Sequence, residues 1–184
     1  MHKLFFIRHG VTDDNVKHIF SGRNEPLADE GRRQATQAGQ QAKAAGMTFD
    51  AIIASSWPRA IETARLIAEA TGFPADKIEV SDLFIERNVG PLTDTPYDDF
   101  FGKGHIYKEI DDLPGVETIP VLQERAAQAL AMIKARPENN ILVVSHGGFG
   151  RAFRRAAQGV PYSDEFRDAQ PHDSIPNASL IQLI

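Results

Sequence analysis

The chain contains no cysteine, which removes disulfides, thiolate metal sites and thiol nucleophiles from consideration. No apolar run approaches the ~20 residues that a bilayer span needs. Met1-His2-Lys3 with four apolar residues behind them are too short for a signal peptide, so a cytoplasmic location is the expectation. An excess of positive charge is missing as well: 20 Lys and Arg stand against 25 Asp and Glu, a formal net charge of -5. Nucleic-acid binders usually carry a basic face and polybasic membrane anchors a basic cluster, so neither partner is expected. Any anion site must rest on a few well-placed cations. Internal repeats, low-complexity tracts and linkers are lacking too. A chain of 184 residues with 42% hydrophobic and 24% charged content points to one domain over 1–184, large enough for a sizeable core.

What is present is a set of short apolar runs. Leu4-Phe5-Phe6-Ile7 leads straight into Arg8-His9-Gly10, Ala51-Ile52-Ile53-Ala54 into Ser55, and Ile141-Leu142-Val143-Val144 into Ser145-His146-Gly147-Gly148. Continuous apolar runs of this length read as buried strands of a parallel sheet. Ile78–Val80 is a weaker candidate, and Ser179–Leu183 forms a final strand. Between them lie helical patterns. Ala28–Ala45 carries Ala35, Ala38, Ala42 and Ala45 on one face, and an alanine stripe permits close packing on a sheet. Arg59–Thr71 opens behind Pro58, which costs nothing at a first helical position. It sets Ala60, Ala64, Ile67 and Ala68 inward and ends at Gly72. Ile119–Ala135 buries Leu122, Ala126, Ala129, Leu130 and Ile133, and a last helix over Phe149–Gln158 is closed by Gly159-Val160-Pro161. Val11–Pro26 reads as a long polar loop, and 81–118 as an irregular excursion over the sheet edge, able to act as a lid. The fold class is α/β, a three-layer sandwich with a mostly parallel central sheet flanked by helices.

In such sheets, ligands bind outside the carboxyl ends of the strands. Parallel strands would bring Arg8 and His9, Arg59 and His146 to one edge. A guanidinium suits phosphate or carboxylate, and an imidazole can serve as nucleophile, base or ligand. Two arginines and two imidazoles form a basket matched to phosphoryl transfer, whose transition state spreads negative charge over three oxygens. Gly147 and Gly148 open a helix there and add N–H groups and the positive end of its dipole. One imidazole can attack phosphorus and divide the transfer into two steps. Glu86 is the candidate proton donor; to act near neutral pH its pKa must be raised, as partial desolvation can achieve.

Arg8-His9-Gly10 behind an apolar strand resembles the signature of the histidine phosphatase superfamily, the phosphoglycerate-mutase-like proteins, and the resemblance covers almost the whole chain. Thr12 and Asn15 match the continuation of that motif, and Pro26-Leu27, Gly31 and Gln34-Ala35 look like the next block. Ser55, Arg59-Ala60 and Thr63-Ala64 are similar to the second arginine block, and Leu83, Glu86 and Gly90 to the acid block. Ser145-His146-Gly147-Gly148 resembles the second histidine block, and Asn177-Ala178-Ser179 the closing strand. The resemblance implies the phosphoglycerate-mutase-like fold and a role for each matching position. His9 would become phosphorylated, while Arg8, Arg59 and His146, with Gly147, would hold the phosphoryl oxygens. Glu86 would be the general acid and then base, and Asn15 would touch the phosphate or the substrate beside it. It implies no metal and no other cofactor. Three positions depart from the pattern: Ala28 in place of a capping threonine, Val11 in place of an acidic residue, and Val116 in place of a glycine.

The bland readings attach elsewhere. His2, His18, His105 and His172 are expected to face solvent, and Glu79, Asp82 and Asp94 to be solvated loop carboxylates. Phe100-Phe101 reads as core packing. The favoured activity is phosphomonoester hydrolysis on a small phosphorylated substrate. A phosphoglycerate-type mutase, a phosphohistidine protein phosphatase and a non-catalytic phospho-ligand binder are the alternatives. The acidic excursion disfavours highly anionic substrates by like-charge repulsion.

Overall fold

The apolar runs become strands because each residue finds a covered face. The computed structural model describes residues 3–160 and 175–184; His2, Pro161 and His172 lie outside them. The strands β1 (Lys3–Arg8), β2 (Ala51–Ser55), β3 (Glu79–Ser81), β4 (Asn140–Ser145) and β5 (Leu180–Gln182) form one sheet in the order β3-β2-β4-β1-β5. All neighbours are parallel except β5, which runs antiparallel along β1. Successive side chains point to opposite faces, and both faces are closed. Leu4, Phe6, Ile53, Ile141 and Val143 pack with Leu122, Ala126, Leu130, Phe149 and Phe153 from α4 (Ile119–Lys134) and α5 (Gly147–Ala157). Phe5, Ile7, Ile52, Ala54, Leu142 and Val144 pack with Ala38, Ala42, Ala60, Ala64, Ile67 and Ala68 from α2 (Asp29–Ala44) and α3 (Pro58–Thr71). This is the expected three-layer sandwich. Among the described residues no helix is long and apolar enough to cross a membrane.

Helix ends follow local chemistry. Pro58 opens α3, and Gly72 closes it in the left-handed region at φ 85°. Ala28 gives α2 no side-chain cap, as its sequence implies; Asp29 and Glu30 in the first turn complement the dipole instead. Two expectations change. The loop after β1 contains a short helix, α1 (Asp13–Val16), nucleated by a capping box between Thr12 and Asn15. Ala45 is exposed rather than on the buried stripe, because α2 ends one residue earlier. The excursion forms a chain of short 3-10 turns between Asp82 and Asp112. Arg87 fastens it from within, paired with Asp111 and donating to Glu117 O at 2.9 Å.

Candidate active site

The parallel register decides which residues meet. Arg8 lies opposite Ser145, and His9 N–H donates to Ser145 O at 2.9 Å, so His9 and His146 leave adjacent strands side by side. Their ring centroids are 5.1 Å apart at 63°. The chain turns sharply beyond His9, because Gly10 and Gly31 interlock. A Cβ on Gly10 would come within 2.2 Å of Gly31 O, so only glycine admits that approach. Gly10 N–H donates to Thr63 Oγ1 at 3.1 Å, and Thr63 Oγ1–H to Arg59 O at 2.8 Å, tying this turn to the first turns of α3.

The hydrogen bonds fix the His9 tautomer. Nδ1 lies 2.7 Å from Gly10 O, and a carbonyl only accepts, so Nδ1 carries the hydrogen. Arg59 Nε, which only donates, lies 3.2 Å from His9 Nε2, so Nε2 carries the lone pair. Burial holds His9 well below the usual histidine value, reinforced by His146, Arg59 and Arg8. Burial does the same for His146, with Arg59, Arg8 and Arg125 adding to it. Both rings are therefore neutral near pH 7. His146 Nε2 lies 2.8 Å from Ser55 Oγ, which already accepts Trp57 N–H at 3.2 Å. The fully buried Ser55 hydroxyl has His146 Nε2 as its acceptor, which leaves His146 Nδ1–H as a buried donor with no partner.

Arg59 is 1% exposed. Its Nη1 donates to Gly22 O at 2.7 Å, and its guanidinium lies 4.6 Å over the Trp57 ring. Arg8 donates from Nη1 to Ile175 O at 3.2 Å, while its Nε is buried without a partner. Burial is the main reason both fall below the usual arginine value, with Arg59 at about 10. Neither makes a salt bridge among the described residues, although such groups are normally paired when buried. Glu86 is the strongest favourable charge on each.

Glu86 reaches the site, but in a state opposite to the one expected. Its Oε1 accepts from the N–H groups of Arg87 and Phe149 at 2.8 Å, and its Oε2 from Gly148 N–H at 2.9 Å. Burial pushes the carboxyl upward, but those three donors and Arg8 outweigh it and hold Glu86 below the usual glutamate value. A carboxylate seated on the amino end of α5 is favoured by the dipole as well. The same contact corrects the picture of an open helix terminus. Gly148 N–H is already taken, and of the two glycines only Gly147 N–H is left without a partner among the described residues. Gly148 serves sterically, since a Cβ there would meet Glu86 Oε1 at 2.6 Å.

Asn15 sits at the rim. Its Oδ1 accepts from Thr12 N–H at 3.3 Å and from Asn177 Nδ2 at 3.1 Å, so its own amide N–H₂ remains free among the described residues. Asn177 also donates to His9 O at 2.9 Å. The structure thus brings together Arg8, His9, Asn15, Arg59, Glu86, His146 and Gly147. His18 and His105 stay exposed, as expected, with His105 stacked on buried Phe100. Residues 4–183 match the histidine phosphatase superfamily (branch 1). This chain belongs to that superfamily. A 2,3-bisphosphoglycerate-dependent phosphoglycerate mutase of Brucella melitensis is 32% identical over 168 residues, covering 85% of this chain and 82% of the relative. A mycobacterial glucosyl-3-phosphoglycerate phosphatase structure superposes with a TM-score of 0.80 at 24% identity, over 99% of this chain and 92% of its own. The alpha-ribazole phosphatase of Shigella flexneri does so at 0.77 and 23%, over 98% and 89%.

For this superfamily member, three participants carried no assigned role in the sequence. Ser55 orients His146, and Trp57, the sole tryptophan, packs 4.9 Å from its ring. A lone tryptophan between Ser55 and Arg59 was the available signal. The third, Tyr97, is half-buried, packs edge-on at 4.5 Å from Phe20, and has a phenol raised by burial and acted on by Arg8 and Glu86. Nothing in the sequence separates it from Phe100-Phe101.

Proposed function

We propose that the chain is a phosphomonoesterase that acts on a small phosphorylated metabolite through a phosphohistidine on His9. The observation that carries this reading is the pair of guanidiniums, Arg8 and Arg59, that make no salt bridge among the described residues, beside a neutral imidazole whose Nε2 lone pair is fixed by Nδ1–H···O=C. Arg8 Nε and His146 Nδ1, both buried and unpartnered, are donors suited to the oxygens of a phosphoryl dianion, and Asn15 adds a rim donor.

In the reaction, His9 Nε2 attacks phosphorus, the P–O ester bond breaks, and the leaving oxygen takes a proton from Glu86. Water then attacks the phosphohistidine, giving its proton to Glu86, and the P–N bond breaks to release phosphate. Glu86 starts as a carboxylate, so it must gain the proton on substrate binding. A phosphoryl dianion beside it is a like charge that raises its proton affinity, and a monoester whose second pKa is about 6 can arrive with the proton. Arginines hold the oxygens where a metal cation would be repelled, so the chemistry is metal-independent.

A mutase is the second reading, favoured by the naming of the curated relatives. The short acidic excursion, with Asp94, Asp98 and Asp99, favours the hydrolase. Incubation with 3-phosphoglycerate and a trace of its bisphosphate separates them. Stoichiometric phosphate release supports the hydrolase, and isomerisation without release overturns it. Loss of turnover in His9→Ala supports the nucleophile assignment.

A further inference from the structure

The excursion is stitched to the loop before Arg23 by a short antiparallel ladder. Phe20 N–H donates to Thr95 O at 2.9 Å, Asp94 N–H to Phe20 O at 2.7 Å and Tyr97 N–H to His18 O at 2.7 Å, and Ile19 pairs with Pro96. At the inner end of this ladder Asp94 Oδ1 accepts Gly22 N–H at 2.9 Å. Gly22 O accepts from Arg59 Nη1 at 2.7 Å, and Arg59 Nε meets His9 Nε2 at 3.2 Å. A continuous path of three hydrogen bonds therefore runs from a carboxylate on the excursion to the reactive imidazole.

Two features show that the contact is built in. Asp94 adopts φ 63°, a left-handed conformation that costs a residue with a Cβ and that Asp and Asn enter through local hydrogen bonds. The contact also uses the bare backbone of Gly22, because a Cβ there would stand 2.5 Å from Asp94 Oδ1 and displace the carboxylate. Glycine has the freest backbone of any residue, so the Gly22 carbonyl alone would be a loose anchor. With its N–H held by Asp94, it becomes a fixed one, and Arg59 is a long side chain whose placement depends on that anchor.

We propose that Asp94 is a positioning residue, through which the excursion fixes the Arg59 guanidinium at the phosphoryl site. The inference rests on the reading of that site as phosphoryl-binding, and it gives an exposed loop carboxylate a specific task.

The test compares Asp94→Gly, which keeps the left-handed backbone and removes the acceptor, with Asp94→Asn, which keeps an amide oxygen in the same conformation. Inorganic phosphate affinity is measured by calorimetry, and kcat/KM on aryl phosphates with leaving groups of graded pKa. One hydrogen bond of this kind corresponds to about three- to tenfold. Asp94→Gly should weaken phosphate binding by that factor and lower kcat/KM equally for every leaving group, since Arg59 grips the phosphoryl end. Asp94→Asn should restore both. Unchanged phosphate affinity in Asp94→Gly, a loss that grows with leaving-group pKa, or failure of Asp94→Asn to restore it overturns the inference. So does a urea midpoint for Asp94→Gly so low that the binding loss reflects unfolding. The affinity comparison needs no turnover: a protein that binds phosphate in this order but releases none supports the relay, while the phosphatase reading alone falls.

Discussion

Replacing Arg59 by methionine should stabilise the unliganded protein while removing its response to phosphate. Burial brings Arg59 well below the usual arginine value, to about 10, a gap equivalent to about 3 kcal/mol for keeping the guanidinium charged. At pH 7 the group is charged in both folded and unfolded chains. The cost is therefore fully present and would be relieved only above pH 10, where the folded protein begins to shed the proton. Arg59→Met retains an unbranched body and deletes the charge. Against this, buried Gly22 O loses its donor, at about 1–2 kcal/mol, and the contact over Trp57 is lost, at about 0.5–1 kcal/mol. The net is about 1 kcal/mol in favour of the variant, a rise of about 2–4 °C in Tm for a chain of this size. Phosphate at a hundred times its Kd should stabilise the wild type by about 2.7 kcal/mol and the variant by about 1 kcal/mol or less. The order of stability should invert when phosphate is added. Thermal and urea unfolding with and without phosphate read this directly. A variant less stable than wild type by more than about 1 kcal/mol without phosphate, or equally stabilised by it, would refute the account of a cation held ready for an anion.

Gly148→Ala should displace the Glu86 carboxylate from the amino end of α5, costing about 1–3 kcal/mol in urea unfolding and slowing substrates with poor leaving groups more than activated aryl phosphates. Glu86→Gln should show the same dependence on leaving group; equal slowing across a graded series would remove Glu86 from the acid role. His9 and His146 stay neutral when folded, so below pH 6.5 the unfolded chain takes up protons that the folded chain refuses. Stability should then fall with decreasing pH by about 1.4 kcal/mol per pH unit for each histidine. Urea midpoints between pH 7 and 5 should show a shallower fall for His146→Gln. Turnover in EDTA should equal that in untreated buffer, and loss of activity restored by a divalent cation would contradict the proposal of metal-independent chemistry.

Much of the architecture was legible because its causes are local. Apolar runs of strand length, Pro58 at a helix start and Gly72 at its end, and the alanine faces of α2 and α3 each declare an element within a few residues. The chemistry-bearing groups at strand ends were legible for the same reason, since Arg8-His9 and His146 directly follow their runs. The short helix α1 escaped notice because its capping box, Thr12 with Asn15, lies inside a polar stretch without periodicity.

The residue types that converge on the site were thus written in the sequence: two arginines, two histidines and a glutamate, each carried by a recognisable element or block. Their states were decided only by the fold. Glu86 became a stabilised carboxylate because α5 presents Gly148 and Phe149 N–H groups to it across 62 and 63 residues of chain. The His9 tautomer was set by a neighbouring carbonyl and a distant Arg59, and Asp94 found Gly22 across 72 residues. Charge state, tautomer and anchoring depend on which dipoles and charges surround a group at hydrogen-bond distance, and only the folded chain determines those surroundings.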